Sequence, residues 1–312
     1  MFGDHGAAVW LGFTGLVAAL LILDLGVLNR RSHVLSFKEA MSWSLGLIAI
    51  AHLFGVFILW REGTGPALEY YTGYLIELSL SVDNLFVFIL IFSYFGVPAE
   101  AQPKVLKWGI LGAIVMRLIM IALGALLLER FEWIIYVFGG ILIVTGIRMV
   151  TQKDGQIELE KNPVVRLARR LLPVTDYYDD TKFFTRKRNG ALLATPLFLV
   201  LIVVEWSDLV FAIDSIPAIF AITRDPFLIY SSNIFAILGL RALFFVLAGM
   251  MDKFVYLKPG VALILVFVGL KMTLTHWVHI STLASLAVIV LTLVAAVVLS
   301  LRRSARESSQ PA

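Results

Sequence analysis

The feature that most limits what this chain can fold into is a pair of acidic segments, each at the centre of an apolar run. A bilayer span needs about 20 apolar residues. The run from Tyr71 to Tyr94 meets that length, yet Glu77 to Asn84 inside it reads Glu-Leu-Ser-Leu-Ser-Val-Asp-Asn. The run 192–222 meets it too, and Asp208 to Ser215 inside it reads Asp-Leu-Val-Phe-Ala-Ile-Asp-Ser. An acid at mid-helix costs roughly 3 kcal/mol on insertion scales. A shift of 131 residues lays Glu77 on Asp208, Asp83 on Asp214 and Asn84 on Ser215. Two matched acidic helices at membrane depth need a reason.

That these runs are spans follows from composition. Only 15% of the 312 residues are charged, 60% are hydrophobic and mean hydropathy is +0.90. Soluble domains are about 25% charged, so the chain is expected to be an all-α, polytopic membrane helix bundle. It is expected to form a single integral unit over residues 1–312 rather than separate domains. Nine runs of spanning length stand at about 8–28, 40–60, 70–95, 105–128, 131–150, 192–222, 228–251, 257–274 and 281–301. The opening Met-Phe-Gly-Asp-His lacks the basic stretch of a signal peptide, so the first run reads as a retained helix.

Orientation is read from Lys and Arg. Alternate connections, together with the C-terminal end, carry nineteen of them, nine in the loop 151–191 alone. The opposite connections hold only Arg61, Arg130, Arg224 and Lys271. The N-terminus is therefore expected outside and the C-terminus in the cytoplasm. The net charge of +4 sits in these loops and does not argue for nucleic acid. Within 151–191, Asn162-Pro163 reads as a helix start, followed by an apolar stripe of Val164, Leu167, Ala168, Leu171 and Leu172. With Arg166, Arg169 and Arg170 beside it, such a helix suits an anionic membrane surface, or equally an ordinary solvated basic loop.

The repeat extends past the acids. Ile110-Leu-Gly recurs at Ile237, Arg117 aligns with Arg241, and Gly146-Ile-Arg-Met aligns with Gly269-Leu-Lys-Met. The offset drifts from 131 to 123, as expected when helices keep their order and loops change length. Repeat one covers about 70–150 and repeat two about 192–274, leaving the first, second and ninth spans peripheral. Each repeat holds three spans, an odd number, so the second copy enters the membrane inverted. Inverted repeats with polar, interrupted first helices point to a secondary transporter with its site at the repeat interface.

Residues six apart on a straight helix are about 240° out of phase. Glu77 and Asp83 can share a face only if the helix bends or unwinds near them, and the same holds for Asp208 and Asp214. Pro217, three residues past Asp214, invites such a break. Glu77, Ser81 and Asn84 do share one face, and Glu205 and Asp208 are neighbours one turn apart. The donors on offer are carboxylate, amide, hydroxyl and carbonyl oxygen, and all are hard. The sequence contains no cysteine, which excludes disulfides and thiolate metal sites. If ionised, Glu77, Asp83, Glu205, Asp208 and Asp214 outnumber Arg117 and Arg241, leaving an excess of three negative charges. A divalent cation or added protons would neutralise it. Oxygen-only sites suit Mg2+, Ca2+ and Mn2+ without separating them. The competing reading is a buried acid–arginine lock.

The stretch Gly73-Tyr-Leu-Ile-Glu-x-Ser-Leu-Ser-Val-Asp-Asn-Leu-Phe-Val resembles the TerC family and, within it, the Alx-like bacterial members. So do Glu205-x-Ser-Asp-x-Val-Phe-Ala-Ile-Asp-Ser-Ile-Pro-Ala-Ile-Phe-Ala and Ser232-Asn-Ile-Phe-Ala-Ile-Leu-Gly-Leu-Arg-Ala-Leu. The resemblance covers roughly 8–300 and implies an inner-membrane protein linked to manganese export, alkaline pH and tellurium resistance. By position it implies metal ligands at Glu77, Asp83, Asn84, Asp208, Asp214 and Ser215. Ser81, Glu205, Arg117, Asn233 and Arg241 are then supporting groups. Mn2+ would be the transported substrate, protons a candidate coupling ion, and no cofactor would be permanently bound. Asp24 reads as an interfacial acid paired with Arg30 and Arg31 rather than a gate, and His52 as a packed histidine. A non-transporting membrane scaffold or stress-response component acting through the 151–191 loop is the main rival. An intramembrane enzyme is disfavoured, because the chain has no nucleophile–base pair, nucleotide loop or HExxH motif.

Overall fold

The computed structural model describes residues 6–24, 37–131, 133–151, 167, 170, 172–186, 192–248, 255–274, 277 and 280–307; at a few positions, Asp83 and Asp214 among them, only the backbone is described. The expected surface helix around Asn162 to Leu172 falls largely outside these residues, as do Arg30 and Arg31. The described chain is mostly helical: α1 (Ala7–Ile22), α2 (Phe37–Glu62), α3 (Thr64–Tyr94), α4 (Gln102–Arg130), α5 (Ile134–Thr151), α6 (Pro196–Phe220), α7 (Pro226–Leu238), α8 (Leu240–Ala248), α9 (Leu257–Thr273) and α10 (Thr282–Glu307). α2, α4, α6 and α10 are each long and apolar enough to cross a membrane. The pair α7–α8, bent by 41°, makes a fifth if counted as one span, while α1, α5 and α9 are shorter apolar helices.

The distribution of side chains is that of a protein solvated by lipid. On α4, Val115, Leu118 and Ile119 are about half exposed while Arg117 is 0% exposed. Apolar outside and charge inside is the arrangement a bilayer imposes. The chain is an integral, multi-pass membrane protein.

α3 is the central helix, packed against α2, α6, α7, α8, α9 and α10. At 31 residues it is about 46 Å long. Gly63, at φ 90°, makes the tight junction with α2. Gly96, at φ 59°, ends α3: the N–H of Val97 reaches back to the Phe92 carbonyl at 2.9 Å, and Pro98 prevents continuation. Tyr70 and Tyr71 of α3 donate to the carbonyls of Ala51 and His52 at 3.0 and 2.9 Å, stitching α2 to α3. His52 itself is exposed, bonded to its own helix at Ile48 (2.8 Å) and set against the Tyr71 and Tyr74 rings, so it is less packed than the sequence suggests.

α5 and α9 cross through small residues. A Cβ at Gly146 would stand 2.7 Å from the Ala262 carbonyl oxygen, and one at Gly269 would stand 2.7 Å from the Gly139 carbonyl oxygen. Each helix thus offers a glycine to a small residue seven positions away on the other, in antiparallel register. Only residues this small let two backbones approach so closely in lipid.

The sequence run beginning at 192 does not start as helix. Leu192–Ala194 pairs antiparallel with Phe184–Arg186 as a two-stranded hairpin (β1 and β2), and α6 begins at Pro196, where proline's fixed φ suits a first turn. The segment before the hairpin lies against the α3–α4 connection: Tyr178 donates to the Phe95 carbonyl at 2.7 Å, and Lys104 sits 4.6 Å over the Phe183 ring. Thr185 of β1 and Lys182 just before it hydrogen-bond to Asp179 and hold its carboxyl below the usual range.

Candidate functional site

Three helices deliver the polar side chains. α3 is continuous from Thr64 to Tyr94, so Glu77, Ser81 and Asn84 fall one above another on one face, and all three are buried. α6 is continuous from Pro196 to Phe220 and presents Asp208 and Ser215, seven residues apart and both buried. α4 supplies Arg117. The breaks expected near the acids are therefore absent from α3 and α6. Pro217 lies in the last turn of α6, where only the bond to residue 213 is lost and the helix is about to end. The break comes at Gly239, between α7 and α8.

One guanidinium ties the three helices together. Nη1 of Arg117 donates to Oε1 of Glu77 and to Oγ of Ser215 at 2.9 Å. Its Nη2 is 3.5 Å from Oδ1 of Asp208, an ionic contact too long for a good hydrogen bond. The acids are spanned by an arginine, not by each other. Many polar atoms around this contact find no hydrogen-bond partner: Oε2 of Glu77, both carboxylate oxygens of Asp208, Oγ of Ser81 and Nδ2 of Asn84. Nε and Nη2 of Arg117 join them, and on α7 both amide atoms of the buried Asn233 are likewise without a hydrogen-bond partner. Burying one unpaired polar group costs on the order of 1–3 kcal/mol, so such a cluster is unusual unless something else binds there.

Among the described residues, no three His, Cys, Asp or Glu side chains form a metal-holding group. Asp83 and Asp214 stand six residues beyond Glu77 and Asp208 on the same helices; their side chains lie outside the description. Glu205 is half-buried and packs on α4 at Gly112, where any Cβ would collide with its carboxylate. A narrow cavity beside Asp208, with about 10 Å³ open to a water-sized sphere, is otherwise lined by apolar residues such as Phe88, Ala113 and Val204.

The sequence places Arg241 with Arg117, but the structure separates their partners. Arg241, 2% exposed, bonds the carboxylate of Asp24 and, at 3.3 Å, its carbonyl oxygen. Asp24, two residues past the end of α1, is itself 3% exposed. Asp24 is thus ion-paired, but buried and with a partner 217 residues away in sequence; the expected partners Arg30 and Arg31 fall outside the described residues. Two features escaped sequence reasoning: this pair and the Glu205–Gly112 contact. The signal for both was present, a charge at span depth facing a small or oppositely charged residue elsewhere.

Residues 62–308 match the family model described as Integral membrane protein TerC family. An uncharacterised membrane protein of Myxococcus xanthus is 51% identical over 296 residues, covering 95% of this chain and 92% of the relative. Proteins of Escherichia coli K12 and Shigella flexneri that bear the provisional name membrane-bound redox modulator Alx are each 48% identical over 290 residues, 90% of both chains. No solved structure matches.

Proposed function

From the TerC family of integral membrane proteins, to which this chain belongs, we propose a transporter that exports a hard divalent cation, Mn2+, in exchange for protons. The observation that carries this reading is the imbalance at the centre of the bundle. Glu77 and Asp208 are both buried against one Arg117, and three of their four carboxylate oxygens lack a hydrogen bond. Asp83 and Asp214 on the same helices, with Asn84 and Ser215, supply the remaining oxygen donors. Ser81 on α3 and Glu205 on α6 support them from neighbouring turns, and Asn233 from α7, while Arg241 is engaged with Asp24 and takes no part. A soft ion would find no thiolate in this cysteine-free chain.

The topology we infer has nine spans with the N-terminus outside the inner membrane, taking α7–α8 as one broken span. It rests on the Lys and Arg asymmetry of the connections. The bundle reads as one unit holding two inverted repeats, α3–α5 and α6–α9, with α1, α2 and α10 around them. The α5–α9 crossing supports this: Gly146 and Gly269 are repeat-related by 123 residues, and so are their contact partners Gly139 and Ala262. A reciprocal contact of that kind is the mark of a two-fold relation, and antiparallel helices put its axis across them.

The name borne by the E. coli and Shigella relatives favours a second reading, redox modulation. A chain with no thiol has no dithiol couple of its own, so we read such an effect as following from the metal it moves. Mn2+ uptake by proteoliposomes holding the purified chain tests the reading. Wild type should transport, and Asp83→Asn and Asp214→Asn should each abolish transport while remaining folded. A protein acting as a scaffold through 151–191 would show no uptake at all.

A further inference from the structure

Arg117 occupies the space that a cation between Glu77, Asp208 and Ser215 would occupy. Its guanidinium touches all three, and these are three of the six residues to which the sequence resemblance assigns cargo binding. We propose that Arg117 is a tethered competitor for the cargo: it fills the cation position of the empty site, must withdraw for loading, and so admits divalent but not monovalent ions. The proposal rests on the cargo-site reading given above and adds to it the rule by which the site selects charge.

The argument begins with how poorly this arginine is satisfied. It is 0% exposed, yet its two hydrogen bonds both come from Nη1, while Nε and Nη2 have none. A guanidinium carries five donors, and a buried one kept only to lock helices together is normally saturated. Its acceptors are equally under-used, with Oε2 of Glu77 and both oxygens of Asp208 unbonded. The contact is therefore poised to be exchanged for a better one. Arginine cannot leave by losing its proton, so it leaves by moving.

Charge makes the exchange selective. Two carboxylates with the guanidinium carry a net charge of −1, and two carboxylates with a divalent ion are neutral. Both cannot sit on the same oxygens: the guanidinium already touches Glu77, Ser215 and Asp208, and the cavity beside Asp208 has only about 10 Å³ open to a water-sized sphere. Occupation by one excludes the other. A monovalent ion that displaced Arg117 would gain no charge balance over the tether it replaced, whereas a divalent ion gains one unit. An arginine serving only as a lock gives the opposite expectation, because removing it would strand the acids and disorder the site.

Equilibrium binding of Mn2+ to the purified full chain in nanodiscs, read by the electron paramagnetic resonance of free Mn2+, tests the proposal. Arg117→Gln should bind Mn2+ about tenfold or more tighter than wild type, and Na+ should compete in this variant but not in wild type. Arg117→Lys keeps the charge but cannot span Glu77, Ser215 and Asp208 together, so its affinity should fall between the two. Should Arg117→Gln fail to fold, the lysine variant decides alone: tighter than wild type supports the competitor. If Arg117 variants bind equally or more weakly while Glu77→Gln still abolishes wild-type binding, the competitor is overturned and the cargo site stands. If wild type binds no Mn2+, or binds it unchanged in Glu77→Gln, the cargo site fails and the competitor with it.

Discussion

Two glycines on α5 with opposite surroundings give a sharp test of the packing. Gly146 faces α9, where a Cβ would stand 2.7 Å from the Ala262 carbonyl oxygen and 2.7 Å from Cγ2 of Val266. Gly140 meets nothing within 4 Å. Ordinary contact begins near 3.4 Å, so Gly146→Ala must push the helices apart by about 0.7 Å. A gap of that size forfeits roughly a quarter to a half of each dispersion contact across the crossing, and overpacking of this kind costs about 1–3 kcal/mol. Alanine's better helix propensity returns up to ~1 kcal/mol. Gly146→Ala should therefore destabilise by up to ~2 kcal/mol, while Gly140→Ala should leave stability unchanged or raise it by up to ~1 kcal/mol. Gly269→Ala, facing the Gly139 carbonyl at the same 2.7 Å, should match Gly146→Ala. Reversible unfolding in bicelles provides the measurement. Equal effects at 140 and 146, or a Gly269→Ala that does not follow Gly146→Ala, would refute the close crossing and the reciprocity drawn from it.

Two further outcomes follow from the buried ions and the loops. Arg241→Gln strands Asp24, which is 3% exposed, and should cost about 3–5 kcal/mol in the same assay, much of it regained in the double variant with Asp24→Asn; single variants as stable as wild type would contradict the pair. A cysteine introduced at Tyr177, which is exposed in this cysteine-free chain, should react with impermeant maleimide only from the cytoplasmic side. Ready labelling in intact cells would reverse the proposed orientation.

Much of this architecture was legible because lipid enforces a simple code. Long apolar runs locate α2, α4 and α10, and the cost of Glu77 and Asp208 at span depth marks them as buried. What the residues hid was tertiary or local in a way apolarity cannot report. Leu192 to Ala194 is as apolar as a helix start but pairs as a strand, because its partner Phe184–Arg186 lies just before it and Pro196 sets the first turn after it. The expectation of unwound acidic helices failed because shared faces were sought within one helix. In the structure Arg117 reaches from a different helix, and α3 and α6 can stay straight. Gly239 was read as a repeat marker, yet it is where the chain bends between α7 and α8. The resemblance grouped Arg241 with Arg117 as a supporting group, but Asp24, far away in sequence, holds it instead.

The Glu77–Arg117 contact also bears on how the chain enters the bilayer. The two residues lie in consecutive helices, α3 and α4, joined by the short turn 95–101. A ribosome delivers them within one hairpin, so the acid and the arginine can pass from translocon to lipid as a neutralised pair rather than as two separately costly charges. Asp208 arrives later, on α6, into a pocket that already holds a cation. Arg241 follows later still and meets Asp24 on the first helix made. The order of synthesis thus neutralises Glu77 at once, whereas Asp24 waits for its counter-charge until α8 is made.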